Sequence, residues 1–63
     1  MEHTDAWYGT RLQRYFERHY EKYGDHVGFY VNPAPNMLEF KIPGIGRILL
    51  RCDDDGIVRE GRR

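Results

Sequence analysis

Serine is missing from this 63-residue chain, and cysteine occurs once, as Cys52. Without serine, the hydroxyl nucleophiles reduce to Thr4 and Thr10, and neither sits in a nucleophile motif. A single cysteine excludes an internal disulfide and favours a reducing compartment. The glycines form neither a G-x-G-x-x-G fingerprint nor a P-loop. No stretch approaches the roughly twenty apolar residues of a membrane span. The opening "MEHTDAW" is acidic and polar, unlike a signal peptide. These absences give the cytoplasm as the expected location. The chain starts with Met and reads as one free-standing small domain spanning residues 1–63. Residues 1–4 and 60–63 are expected to fray.

A surplus of either charge is missing too. Ten acidic and ten basic residues cancel, and they also cancel within residues 1–23 and within residues 24–63. A dedicated nucleic-acid binder usually carries a basic excess, because phosphate neutralisation supplies most of its affinity. Metal ligands are sparse as well. His3, His19, His26 and Cys52 include no pair at a zinc-site spacing. "DDDG" lacks the alternating acids and distant Glu of a calcium loop and reads as a β-turn. No cofactor or metal is expected. A chain this short rarely encloses a ligand cavity of several hundred cubic ångströms, so it reads as a non-enzyme.

Aromatic and basic residues are abundant, and they concentrate in "WYGTRLQRYFERHYEKYG", residues 7–24. Thr4 or Asp5 suits a helix N-cap, and Gly24 suits the position after the C-terminus. At about 100° per residue, Tyr8, Leu12, Tyr15, Phe16, His19 and Tyr23 form an apolar stripe of ordinary width. Trp7, Arg11, Arg14, Arg18 and Lys22 form a second stripe, a candidate surface for a partner or a nucleic acid. Arg59, Arg62 and Arg63 could extend it. Glu17 and Glu21, each three residues beyond an arginine, partly neutralise it. Gly9 weakens the first turn, so the helix could begin nearer Thr10.

Beyond Gly24 the period becomes two. "HVGFYVN" sends Val27, Phe29 and Val31 to one side and His26, Gly28 and Tyr30 to the other. "NMLEFKI" and "RILLRC" alternate in the same way, with Leu38, Phe40, Ile42, Ile48, Leu50 and Cys52 inward. "NPAPN", "PGIG" and "DDDG" supply the turns. A three-residue loop at Gly44–Gly46 would set Phe40 opposite Leu50 and Glu39 opposite Arg51. A loop of Asp54, Asp55 and Gly56 would set Cys52 opposite Val58.

The fold class is therefore α+β: one N-terminal amphipathic helix packed on a three- to four-stranded antiparallel β-meander (αβββ or αββββ). The helix can cover only one sheet face. The other should carry Tyr30, Met37, Leu49 and Ile57 among His26, Glu39, Lys41, Arg47, Arg51 and Arg59. Its candidate partner-binding residues are Tyr30, Leu49, Ile57, Arg47 and Arg51. An apolar centre ringed by Tyr and Arg suits an interface, and association would add burial that a chain this small lacks. The functional expectation is a non-enzymatic protein–protein interaction module: a homodimer, or an adaptor or inhibitor docking on a larger protein. Nucleic-acid binding through the basic helix face is the second expectation, and no membrane partner is expected.

Overall fold

The computed structural model describes residues 3–62. Helix α1 spans Asp5–Tyr20 and is followed by a 3₁₀ segment, Glu21–His26. Four strands then run β1 (Gly28–Val31), β2 (Met37–Ile42), β3 (Gly46–Cys52) and β4 (Val58–Arg62). They pair antiparallel in the order β1-β2-β3-β4, the four-stranded form of the expected meander. Thr4 caps α1, its hydroxyl accepting from the Trp7 amide at 3.2 Å. Asp5 in the first turn and Arg18 and His19 in the last complement the helix dipole. The helix runs unbroken through Gly9.

α1 crosses the inner sheet face. Phe40, Ile42, Ile48, Leu50 and Cys52 are fully enclosed there, with Leu38 and Leu12 nearly so. Phe16 and Tyr20 meet the Phe40 ring edge-on, at centroid distances of 4.9 and 5.1 Å. Tyr20 is thus a core residue that the expected stripe leaves out. The core-facing line runs Leu12–Phe16–Tyr20 at four-residue steps, so the stripe's centre is rotated by about 50° from the expected one. His19 is exposed.

The α-helix stops before Gly24. Tyr20 leaves helical geometry at φ −130°, ψ 6°, and Gly24 lies inside the 3₁₀ segment. Positive φ, which a C-terminal glycine would have used, occurs among the described glycines only at Gly44, Gly46 and Gly56.

β1 departs most from the alternation. Gly28 pairs with Lys41 and Val31 with Glu39, so two residues, Phe29 and Tyr30, stand opposite Phe40 alone. This is a β-bulge, and Phe29 occupies the left-handed region at φ 54°. One extra residue reverses the facing of everything beyond it. Tyr30, expected on the outer face, turns to the helix side and meets the Phe16 ring edge-on at 5.4 Å. Phe29, expected in the core, turns outward under the Arg47 guanidinium, 4.4 Å from its ring centroid. Val31, also expected in the core, is exposed.

The β2–β3 hairpin keeps its faces and changes its pairs. Ile45 N donates to Ile42 O at 3.1 Å, and Gly44 has φ 82°. Pro43 and Gly44 therefore occupy the central positions of a type II turn. Ile42 pairs with Gly46, Phe40 with Ile48 and Glu39 with Leu49. The expected Glu39–Arg51 pair does not form, and Arg51 stands across from Met37. The β3–β4 turn has the expected register, with Cys52 opposite Val58. Asp53 Oδ1 accepts from the amides of Asp55 (3.0 Å) and Ile57 (3.1 Å), and Gly56 has φ 85°.

Of the residues expected at frayed ends, Thr4 caps the helix and Glu60 to Arg62 belong to β4. Met1, Glu2 and Arg63 lie outside the described residues.

Candidate functional site: the open sheet face and the helix flank

The two surfaces picked from the sequence fare differently. On the helix, Trp7 is packed against the core. His3 stacks on one side of its indole, with ring centroids 3.5 Å apart and planes 9° from parallel, while the Arg11 guanidinium lies 3.7 Å from the ring centroid. Arg11 also donates to the Trp7 carbonyl at 3.2 Å. Beneath them is Gly56, where an added Cβ would come within 3.1 Å of Arg11 Nε. Tyr8 donates to Asp54 Oδ1 at 2.6 Å, and His3 Nε2 lies 3.0 Å from the Asp54 carbonyl oxygen. This cluster fastens the start of α1 to the β3–β4 turn. Trp7 and Arg11, both half-buried, are engaged by partners within the chain.

Arg14 and Arg18 are exposed and, with Arg11, Tyr15, Gly56 and Val58, line a shallow groove of about 190 Å³. Lys22 lies beyond the α-helix, in the 3₁₀ segment, with Nζ 5.2 Å from the Tyr23 ring centroid. Arg62 shares the helix-side row of β4, opposite Ile48, whereas Arg59 turns to the open face, opposite Arg51. The five-residue helix stripe is therefore split into a partly buried pair engaged with each other, an exposed pair and an outlying lysine.

The open sheet face keeps Leu49, Arg47 and Arg51 together on β3, and it gains order that the pattern alone does not give. Lys41 lies directly across from Arg47, and Arg51 directly across from Arg59. These are two cross-strand pairs of like charge, an arrangement that disfavours the sheet. Between them runs a central row of Val31, Glu39, Leu49 and Gly61. Leu49 is half-buried, and Gly61, having no side chain, leaves a notch of about 220 Å³ lined by Leu49, Arg51, Arg59, Glu60 and Gly61. Arg59 Nε lies 3.7 Å from Asp53 Oδ2, an ion pair at the edge of this face. Lys41, Arg47 and Arg51 are exposed, with no carboxylate of the described residues within ion-pair distance. Ile57 is 52% exposed at the mouth of β4.

Two features of this face escape sequence reasoning. Glu39 is only 6% exposed although it points away from the helix, in the row between Val31 and Leu49. Phe29 joins the face through the bulge. A non-glycine residue at a positive φ leaves no mark in a hydrophobic pattern, so no signal for either was available.

Beside β1 the helix leaves a third surface, an open groove. Ala6, Gly9, Thr10 and Gln13 of α1 face Tyr30, Asn32 and Leu38 across about 410 Å³. It continues past Phe16 and Glu17 to Val27. Burial, and then the Glu17 charge, push the Tyr30 hydroxyl above its usual pKa. Burial likewise raises the Cys52 thiol, helped by Asp53 and Asp54 and opposed by Arg11. The thiol is fully enclosed and therefore protonated at neutral pH. Among the described residues no cluster of three or more His, Cys, Asp and Glu is placed to hold a metal ion. No helix there is long and apolar enough to cross a membrane. Comparison with known protein families, curated proteins and solved structures finds no match for this chain.

Proposed function

We propose that the protein is a non-enzymatic protein-binding module, either a homodimer or a small adaptor or inhibitor, that docks through the open face of its sheet. The observation behind this reading is the like-charged pairing around Leu49. Two cationic pairs are set against each other on the face the helix leaves bare, at a cost to the sheet, around a half-buried leucine. A partner that covers Leu49 would add the apolar burial a 63-residue chain is short of. Arginine around an apolar centre is also the composition of protein interfaces. The single enclosed thiol suits a reducing cytoplasm.

Light scattering over a concentration series and affinity capture from the native extract test this reading together. Leu49→Glu should abolish the dimer or the captured partner while leaving the fold intact. A strict monomer at hundreds of micromolar, with the same capture by Leu49→Glu as by the parent chain, would end the sheet-face reading.

A further inference from the structure

We propose that the partner of this face, if it docks there as argued above, is an acidic protein segment: two carboxylate groups flanking one apolar side chain. The chain as a whole is neutral, so four cations on one sheet face are not a by-product of a basic composition. They are placed at two ends. Lys41 and Arg47 form one cluster, and Arg51 and Arg59 the other. Arg47 and Arg51 are four residues apart on β3, which separates the clusters by about 13 Å at the rise of a strand. Leu49 lies midway, on the same face, beside the Gly61 notch. The complementary shape is an acid, an apolar residue and a second acid at positions i, i+2 and i+4 of an extended chain. The first and last carboxylates then meet the two cationic clusters, and the middle side chain enters the notch over Leu49. Binding relieves the repulsion inside each pair, so the cost held in the free sheet is recovered in the complex.

Nucleic acid fits the same face less well. Its bases stack on exposed aromatic rings, and the one ring that the bulge brings outward, Phe29, is half-exposed but already carries the Arg47 guanidinium 4.4 Å from its centroid. The helix flank is no better suited: Trp7 is stacked between His3 and Arg11, and Glu17 and Glu21 interrupt what remains.

The test is a titration of the full ¹⁵N-labelled chain with three probes, followed by amide shifts. They are poly-L-glutamate, the capped heptapeptide Thr-Glu-Thr-Leu-Thr-Glu-Thr, and single-stranded oligouridine. Both acidic probes should move the amides of residues 39–41, 47–51 and 59–61. Their affinity should fall at least fivefold between 50 and 300 mM salt. The double variant Arg51→Glu with Arg59→Glu should weaken them at least tenfold. Arg51→Gln with Arg59→Gln, which adds no new charge, should give a smaller loss in the same direction. Replacing both glutamates of the heptapeptide by lysine should abolish binding to the parent chain. Acidic probes that leave these amides unmoved would overturn the proposal. So would oligouridine binding this face more tightly than polyglutamate, which would leave the face a docking site for nucleic acid. The docking reading is separated by Leu49→Glu: if that variant still loses its captured partner while polyglutamate does nothing, the face stands and the acidic partner falls.

Discussion

The two faces of the sheet come from the same strands and the same turns, yet they are built to opposite rules. The inner face is an apolar layer in which Phe40, Ile42, Ile48, Leu50 and Cys52 have no exposed surface. The outer face sets Lys41 against Arg47 and Arg51 against Arg59, with Leu49 half-covered between them. The inner face gains from apolar burial, whereas each like-charged pair on the outer face works against the sheet, and the contrast can be probed one face at a time.

The inner face should respond most. Phe40→Ala removes the ring that Phe16 and Tyr20 pack against and should cost about 3–5 kcal/mol. The total stability of a chain this size is only about 3–9 kcal/mol, so urea melts should show the variant largely unfolded at 37 °C. Leu49→Ala, one strand over and on the other face, should cost less than about 1 kcal/mol, because the leucine is already half in water. Equal losses would erase the distinction between the faces.

The bulge offers a smaller effect. Phe29 holds φ 54°, a conformation that Asn tolerates and a β-branched residue resists. Phe29→Val should therefore be about 1 kcal/mol less stable than Phe29→Asn in paired chemical melts. The opposite order would show that the Phe29 ring, and not the backbone, fixes the bulge.

On the outer face a charge change should stabilise. Arg51→Glu turns its pair with Arg59 from like to opposite charge and should raise stability by about 0.2–1 kcal/mol at low salt. The gain should shrink as salt is added. A loss measured by thermal melting at 20 mM salt would mean that the four cations are not in conflict in the free protein.

The smallest effect is confined to alkaline pH. Burial, then the hydrogen bond to Glu60 and the Glu60 charge, raise the Tyr15 hydroxyl above its usual pKa of 10.0. A group with a raised folded pKa contributes stability in full below its unfolded value and loses it as pH rises through the folded one. The parent chain should thus lose stability above about pH 10 more steeply than Tyr15→Phe in melts from pH 8 to 11. Some slope should remain in the variant, since Tyr30 and Cys52 are raised in the same direction.

Much of the fold was legible because its signals are local. Thr4 was one of two N-cap candidates and proved to be the cap, "DDDG" gave its turn and register, and the alternation named every fully buried strand residue. The misreadings share one cause: each needed information that is not local. A period of two cannot tell Phe40–Leu50 pairing from Phe40–Ile48, since both keep the faces, and the turn at Pro43 and Gly44 decided between them. Tyr30 was placed on the wrong face because nothing in "GFYV" announces an extra residue opposite Phe40. Trp7 looked like a surface anchor because a helical wheel has no neighbour on it, and the neighbour was the Gly56 turn, brought close only by the fold. Tyr20 was missed because the sheet, not the helix, fixes where the centre of the stripe lies.

The sequence by itself determined that there is one helix and a strand meander, and which side chains of β2 and β3 go inside, because burial and period are properties of each segment alone. Only the tertiary structure decided which residues stand across from one another. It set the cations in two like-charged pairs on the open face and engaged Trp7 and Arg11 with His3 and the Gly56 turn. Pairing depends on turn geometry and on the packing of segments distant in sequence, and no single segment carries that information.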